Sequence, residues 1–170
     1  HWFMDCLGPL FPNQHVEFNY AIVLIDSYSR WPVAFPLRSL TAKHVCDALL
    51  QLFMQTGIAS GLTISSDNGS NFSAKLTAEF MKRMSCSPRF STPGHPQACG
   101  LVERYVGTIK SMVSKLACDH PKQWWRYLPY VLWALREVSN ETTGQALYTL
   151  VHVRFAKGPL AILKETWAGE

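Results

Sequence analysis

Three short apolar runs open the chain. Residues 2–7 read Trp-Phe-Met-Asp-Cys-Leu and stop at Gly8-Pro9, a pair that ends regular structure. Residues 18–25 are apolar and β-branched, and Asp26-Ser27-Tyr28-Ser29 then turns the chain. Residues 31–37 form the next run, with Pro32 and Pro36 marking it as an edge or irregular strand. Two runs around a short turn make a hairpin, so this part of the sheet is antiparallel.

The spacing then changes. Val45, Ala48, Leu49, Leu52 and Phe53 recur with helical period, after a cap at Ser39 or Thr41 and before Gly57 at the C-terminal end. Residues 62–64 suit a short strand. Residues 73–84 suit an amphipathic helix with Leu76, Phe80, Met81 and Met84 on one face, and residues 88–91 a last short strand. Residues 92–100 read as a loop by composition, and a long helix is expected over about 101–117. A helix capped at Asp119–Pro121 follows, carrying Trp124, Trp125, Leu128, Leu132 and Leu135. Pro129 should kink or split it. The two tryptophans fit core or interface packing better than base stacking. Beyond Asn140 the pattern weakens. Strands first, then strand and helix in alternation, then helices, predict an α/β domain: a mixed sheet with helices packed on its faces.

Composition adds limits. With 170 residues, 48% hydrophobic and 16% charged, the chain suits a single domain over 1–170 with a real core. No apolar run approaches the roughly 20 residues that span a bilayer, and no targeting signal is visible. The +4 net charge is compatible with nucleic acid and with many other partners. Five cysteines stand apart without a CxxC pair, and six histidines are scattered. This argues against a disulfide framework or zinc site and favours a reducing, intracellular compartment.

Three of the twelve acidic residues stand in unusual settings. Asp5 interrupts an apolar strand, where a carboxylate is costly to bury unless it binds something. Asp67 follows a strand and precedes Asn68-Gly69, a pair that permits a tight turn. Glu103 comes just after Gly100, where an opening helix favours negative charge. Each also fits a plainer role: an edge-strand charge facing water, a simple turn, a dipole-compensating first-turn residue. Asp26 is a rival carboxylate, better read as capping its own turn. Farther along, Val102, Val106, Ile109, Val113 and Leu116 form one apolar stripe. Glu103, Gly107, Lys110 and Ser114 share the adjacent face, so Lys110 is placed to meet a phosphate.

Taken together, Met4-Asp5-Cys6-Leu7-Gly8-Pro9, the run from Ser65 to Phe72 and the run from His95 to Arg104 resemble the integrase catalytic core of retroviruses and Ty3/Gypsy-type retrotransposons. Thirty-five residues separate Asp67 from Glu103 (103 − 67 − 1), as in that family's Asp, Asp-35-Glu pattern. Residues 25–32, 124–136 and Thr143-Gly144 extend the likeness, which fades after about residue 145. The resemblance implies an RNase H-like fold with a mixed five-stranded sheet and helices on both faces. It implies two Mg²⁺ or Mn²⁺ ions held by Asp5, Asp67 and Glu103. The implied chemistry is trimming of retroelement DNA 3′ ends, followed by attack of the new 3′-hydroxyl on target DNA.

The resemblance further implies DNA contacts at Asn68, Arg104 and Lys110, and a mobile active-site loop that includes Ala98 and Cys99. His95 and Gln97 would contact DNA or brace that loop. A homodimer or higher oligomer is implied, in the nucleus or in a viral or retroelement particle. The zinc module and β-barrel that flank the core in full integrases are not expected within these residues. The chain departs from the family pattern at Val106 and Gly107, where a polar and a basic residue are usual, and again at 151–154. Two other readings stay open: a host-captured or degenerate copy serving as a DNA-binding or dimerisation module, and an RNase H-like nuclease.

Overall fold

The computed structural model describes residues 1–11, 15–57, 63–66, 70–84, 89–91, 96–139, 144–153 and 166–167. Among the described residues, five strands, β1 (Trp2–Leu7), β2 (Tyr20–Asp26), β3 (Pro32–Leu37), β4 (Thr63–Ser65) and β5 (Arg89–Ser91), form one sheet in the order β3-β2-β1-β4-β5. The first three pair antiparallel, as the hairpin spacing predicts, while β4 lies parallel to both β1 and β5. β1 is therefore the central strand.

Side chains alternate across β1. Trp2 and Met4 face one layer, where Ile22, Leu24 and Ile64 meet Val45, Leu49 and Phe53 of α1 (Ala42–Thr56) and Leu76 and Phe80 of α2 (Ser70–Met84). Phe3 and Leu7 face the other. There Val23 and Ile25 meet Val102, Ile109 and Val113 of α3 (Pro96–Leu116) and Leu128 and Val131 of α4 (Leu128–Glu137). Helices thus cover both faces. The run Ala21–Ile25 is fully buried because it is sandwiched between them, and each large side chain there contributes about 1.5–3 kcal/mol.

The ends of these elements follow their residues. Thr41 caps α1, its hydroxyl accepting from the His44 N–H, and Gly57 closes the helix at φ +71°. Gly8 ends β1 at φ +127°, and a Cβ there would lie 2.7 Å from the Asn19 carbonyl oxygen, so only glycine fits. Pro129 separates two helices, as expected: a 3₁₀ segment, Pro121–Tyr127, gives way to α4 with Pro129 in its first turn. The cap before Pro121 is His120 rather than Asp119.

β3 lies at the sheet edge, and its prolines fall where an edge tolerates them. The Asp26 N–H donates to the Trp31 carbonyl. Odd-numbered residues of β3 therefore turn their backbone groups toward β2, and residues 32, 34 and 36 turn theirs outward. Pro32 and Pro36 thus remove two outward N–H groups. The Pro32 carbonyl is taken by Arg136, whose Nε and Nη2 donate to it at 3.2 and 2.7 Å while the guanidinium stacks on Trp31. Burial pulls the Arg136 guanidinium down to about 10, and it stays charged at neutral pH.

Two expectations need correction at α3. The helix begins at Pro96, so Gln97, Ala98, Cys99 and Gly100 lie within it rather than in a loop. Proline suits the first helical position because its missing N–H has no partner to lose there. The apolar stripe also ends differently. Ala117 is fully buried and Leu116 is 47% exposed, because the last step of the stripe is four residues, not three.

Candidate active site

Asp5 sits on the central strand and is half-buried, so it is not an edge charge facing water. By alternation it shares the α3-covered face with Phe3 and Leu7. Its Oδ1 accepts the backbone N–H of Cys6 at 2.7 Å, which orients the carboxylate. Glu103 is exposed on α3, next to Val102, which is buried in the layer containing Phe3 and Leu7. It lies in the second turn of that helix, not the first. The charge-dipole benefit read from the sequence, which fades within one turn, therefore does not explain it.

Asp67, Asn68 and His95 lie outside the described residues. What leads to Asp67 is described: β4 ends at Ser65, and Ser65 and Ser66 are buried. Trp2 pairs with Ile64 and Phe3 with Ser65, an offset of 62 in both cases (64 − 2 and 65 − 3). Among the described residues no group of three acidic, histidine or cysteine side chains could by itself hold a metal ion. Arg104 and Lys110 are exposed on α3, as are Gly107 and Ser114, so the polar face read from spacing is the solvent face.

The rival residues are otherwise engaged. Asp26 accepts the Ser29 N–H and hydroxyl, both at 2.7 Å, and so caps its own turn. Trp124 is fully buried, and its indole N–H donates to the Phe18 carbonyl at 2.7 Å. Trp125 packs edge-on against Phe18. Sequence reasoning missed one contact beside Asp5. The His1 imidazole hydrogen-bonds the Ser65 hydroxyl at 2.6 Å, across 64 residues. No local pattern signals it, because it depends on the β1–β4 register.

The family model for the integrase core domain matches residues 1–96. The chain belongs to the integrase core domain family. The Gag-Pol polyprotein of Walleye dermal sarcoma virus is 36% identical to this integrase core over 119 residues, 69% of the chain and 7% of the polyprotein. The Pro-Pol polyprotein of Feline foamy virus is 32% identical over 150 residues, 88% of the chain and 12% of the polyprotein. The integrase core thus spans about a tenth of the curated relatives it matches. Among solved structures, the HTLV-2 integrase catalytic core domain in complex with magnesium (trimeric form) superposes with a TM-score of 0.66 at 24% identity. The match covers 87% of this chain and 93% of that one. The mixed sheet between helical layers fits the RNase H-like α/β fold. Among the described residues no helix is long and apolar enough to cross a membrane.

Proposed function

We propose that this integrase core carries out polynucleotidyl transfer on DNA, trimming retroelement 3′ ends and joining them to target DNA, with Asp5, Asp67 and Glu103 as ligands for divalent metal. The observation that carries the reading is Asp5 itself, a half-buried carboxylate on the central strand, on the face covered by the helix that bears Glu103. Asp67 follows two residues after the end of β4 in the sequence, and β4 is the strand paired parallel to β1.

The donor set fits Mg²⁺ or Mn²⁺. All three groups are carboxylates, the hard oxygen donors these ions prefer. When bound, a pair of such ions supplies nucleophile activation and neutralisation of phosphate charge. The protein's own residues supply placement. Asp5 is held by a rigid strand and by the Cys6 amide. Glu103 rides on a helix packed across that strand. Arg104 and Lys110, exposed on the same helix, meet backbone phosphates. Asn68, His95 and Gln97 are further proposed DNA contacts. A homo-oligomer acting on DNA within a nuclear or particle setting is part of the same reading, as is treatment of residues 1–170 as one core.

The test is a branched DNA that mimics the strand-transfer product, offered with Mn²⁺ to the native chain and to Glu103→Gln. Resolution of the branch by the native chain, lost in the variant, is the expected result. Cleavage of an RNA–DNA hybrid instead points to a nuclease. Binding with no cleavage points to a DNA-binding module.

A further inference from the structure

The face of the sheet that carries Asp5 holds His1 and Phe3 in the preceding alternate positions. Phe3 pairs with Ser65, so Ser65 also points to this face, one pairing step before Asp5. The imidazole of His1 hydrogen-bonds the Ser65 hydroxyl at 2.6 Å and lies 4.9 Å from the Phe3 ring. His1 is itself anchored, because its carbonyl accepts the Ser27 N–H at 2.8 Å from the β2–β3 turn. Ser65 is 2% exposed, so its hydroxyl must be satisfied from within the protein. The bond thus spans the two parallel strands at the last described pairing of β4.

We infer that His1 is a positioning residue for the acidic site: through Ser65 it fixes the described end of β4 against β1, the strand that carries Asp5. The inference rests on the metal-site reading above. β4 contributes only three residues to the sheet, so its placement depends on few backbone bonds. The side-chain bond at its end adds to that restraint. Carboxylate ligands must be held to within about 0.5 Å to bind well, and loss of this restraint is felt first in metal affinity. His1 itself is solvent-exposed.

The experiment is a Mn²⁺ titration of the full chain followed by thermal unfolding, with resolution of the branched DNA as a second readout. Native protein, His1→Ala, His1→Gln, Ser65→Ala and the double variant His1→Ala/Ser65→Ala are compared. Each alanine variant is expected to raise the Mn²⁺ concentration for half-maximal effect by about three- to ten-fold, the worth of one hydrogen bond. The double variant should match the larger single effect, because the two residues act as one unit. His1→Gln, which keeps a polar atom near the Nε2 position, should recover most of the native value. The metal-free Tm of His1→Ala should fall by roughly 2–12 °C, because the buried Ser65 hydroxyl loses a partner, and that of His1→Gln by less. A lowered metal-free Tm with an unmoved Mn²⁺ midpoint would show a purely structural bond and overturn the inference. So would alanine variants that match the native chain in both readouts. A native chain that neither gains stability from Mn²⁺ nor resolves the branch refutes the acidic site itself, and the inference falls with it.

Discussion

Replacing Trp124 by phenylalanine tests whether this aromatic pair belongs to the core or to a DNA-stacking surface. Trp124 is fully buried among residues of α3, α4 and the central strands, and its indole N–H satisfies the Phe18 carbonyl. Phenylalanine keeps one ring and gives up about a third of a side chain that buries 150–250 Å². At ~25 cal/mol per Å² the lost burial is about 1–2 kcal/mol. The Phe18 carbonyl loses its donor, which costs about 1–3 kcal/mol more. The variant should therefore be less stable by about 2–5 kcal/mol. At ~2–4 °C per kcal/mol for a chain of this size, Tm should fall by roughly 4–20 °C. Chemical and thermal denaturation measure this, and DNA binding measured well below both transitions should be unchanged. A stability loss under about 1 kcal/mol together with weakened DNA binding would refute the core assignment.

Other consequences follow from single positions. Gly8→Ala should lower stability by at least about 1–2 kcal/mol in denaturant melts, because a Cβ meets the Asn19 carbonyl and φ is positive. Pro36→Val restores an outward N–H on the exposed edge of β3. It should increase concentration-dependent association in light scattering while leaving the monomer's circular dichroism unchanged. Cys118 is exposed, whereas Cys46 is buried and desolvation pushes its thiol pKa up. Alkylation mapped by mass spectrometry should label Cys118 within minutes and Cys46 only on unfolding. Equal rates would mean that α1 does not seal against α2.

Much of this fold is written locally. The cap at Thr41, the stop at Gly57, the split at Pro129 and the self-capping Asp26 each depend on neighbours a few residues away, and sequence spacing captures such effects. The prolines of β3 were legible as edge markers for the same reason: proline lacks a donor wherever it is placed. What escaped was non-local or competing. The start of α3 at Pro96 pits a favourable first-turn proline against an interior Gly100 that costs about 1 kcal/mol. Composition weighed the glycine more heavily than packing did. Leu116 and Ala117 exchange places because a 3.6-residue period allows steps of three or four. The setting of Asp5 was legible as an anomaly within an apolar strand. Its face, its central place and the His1–Ser65 bond required the pairing of strands some sixty residues apart.

The most direct test of the acidic site is a crystal of the chain soaked in Mn²⁺, with anomalous scattering recorded at the manganese edge. A three-carboxylate site predicts an anomalous peak at direct-ligand distance, about 2 Å, from a carboxylate oxygen of Asp5, with Asp67 as co-ligand and Glu103 on the same side. That peak should vanish in Asp5→Asn crystals. Manganese bound elsewhere, or unchanged by the substitution, contradicts the assignment.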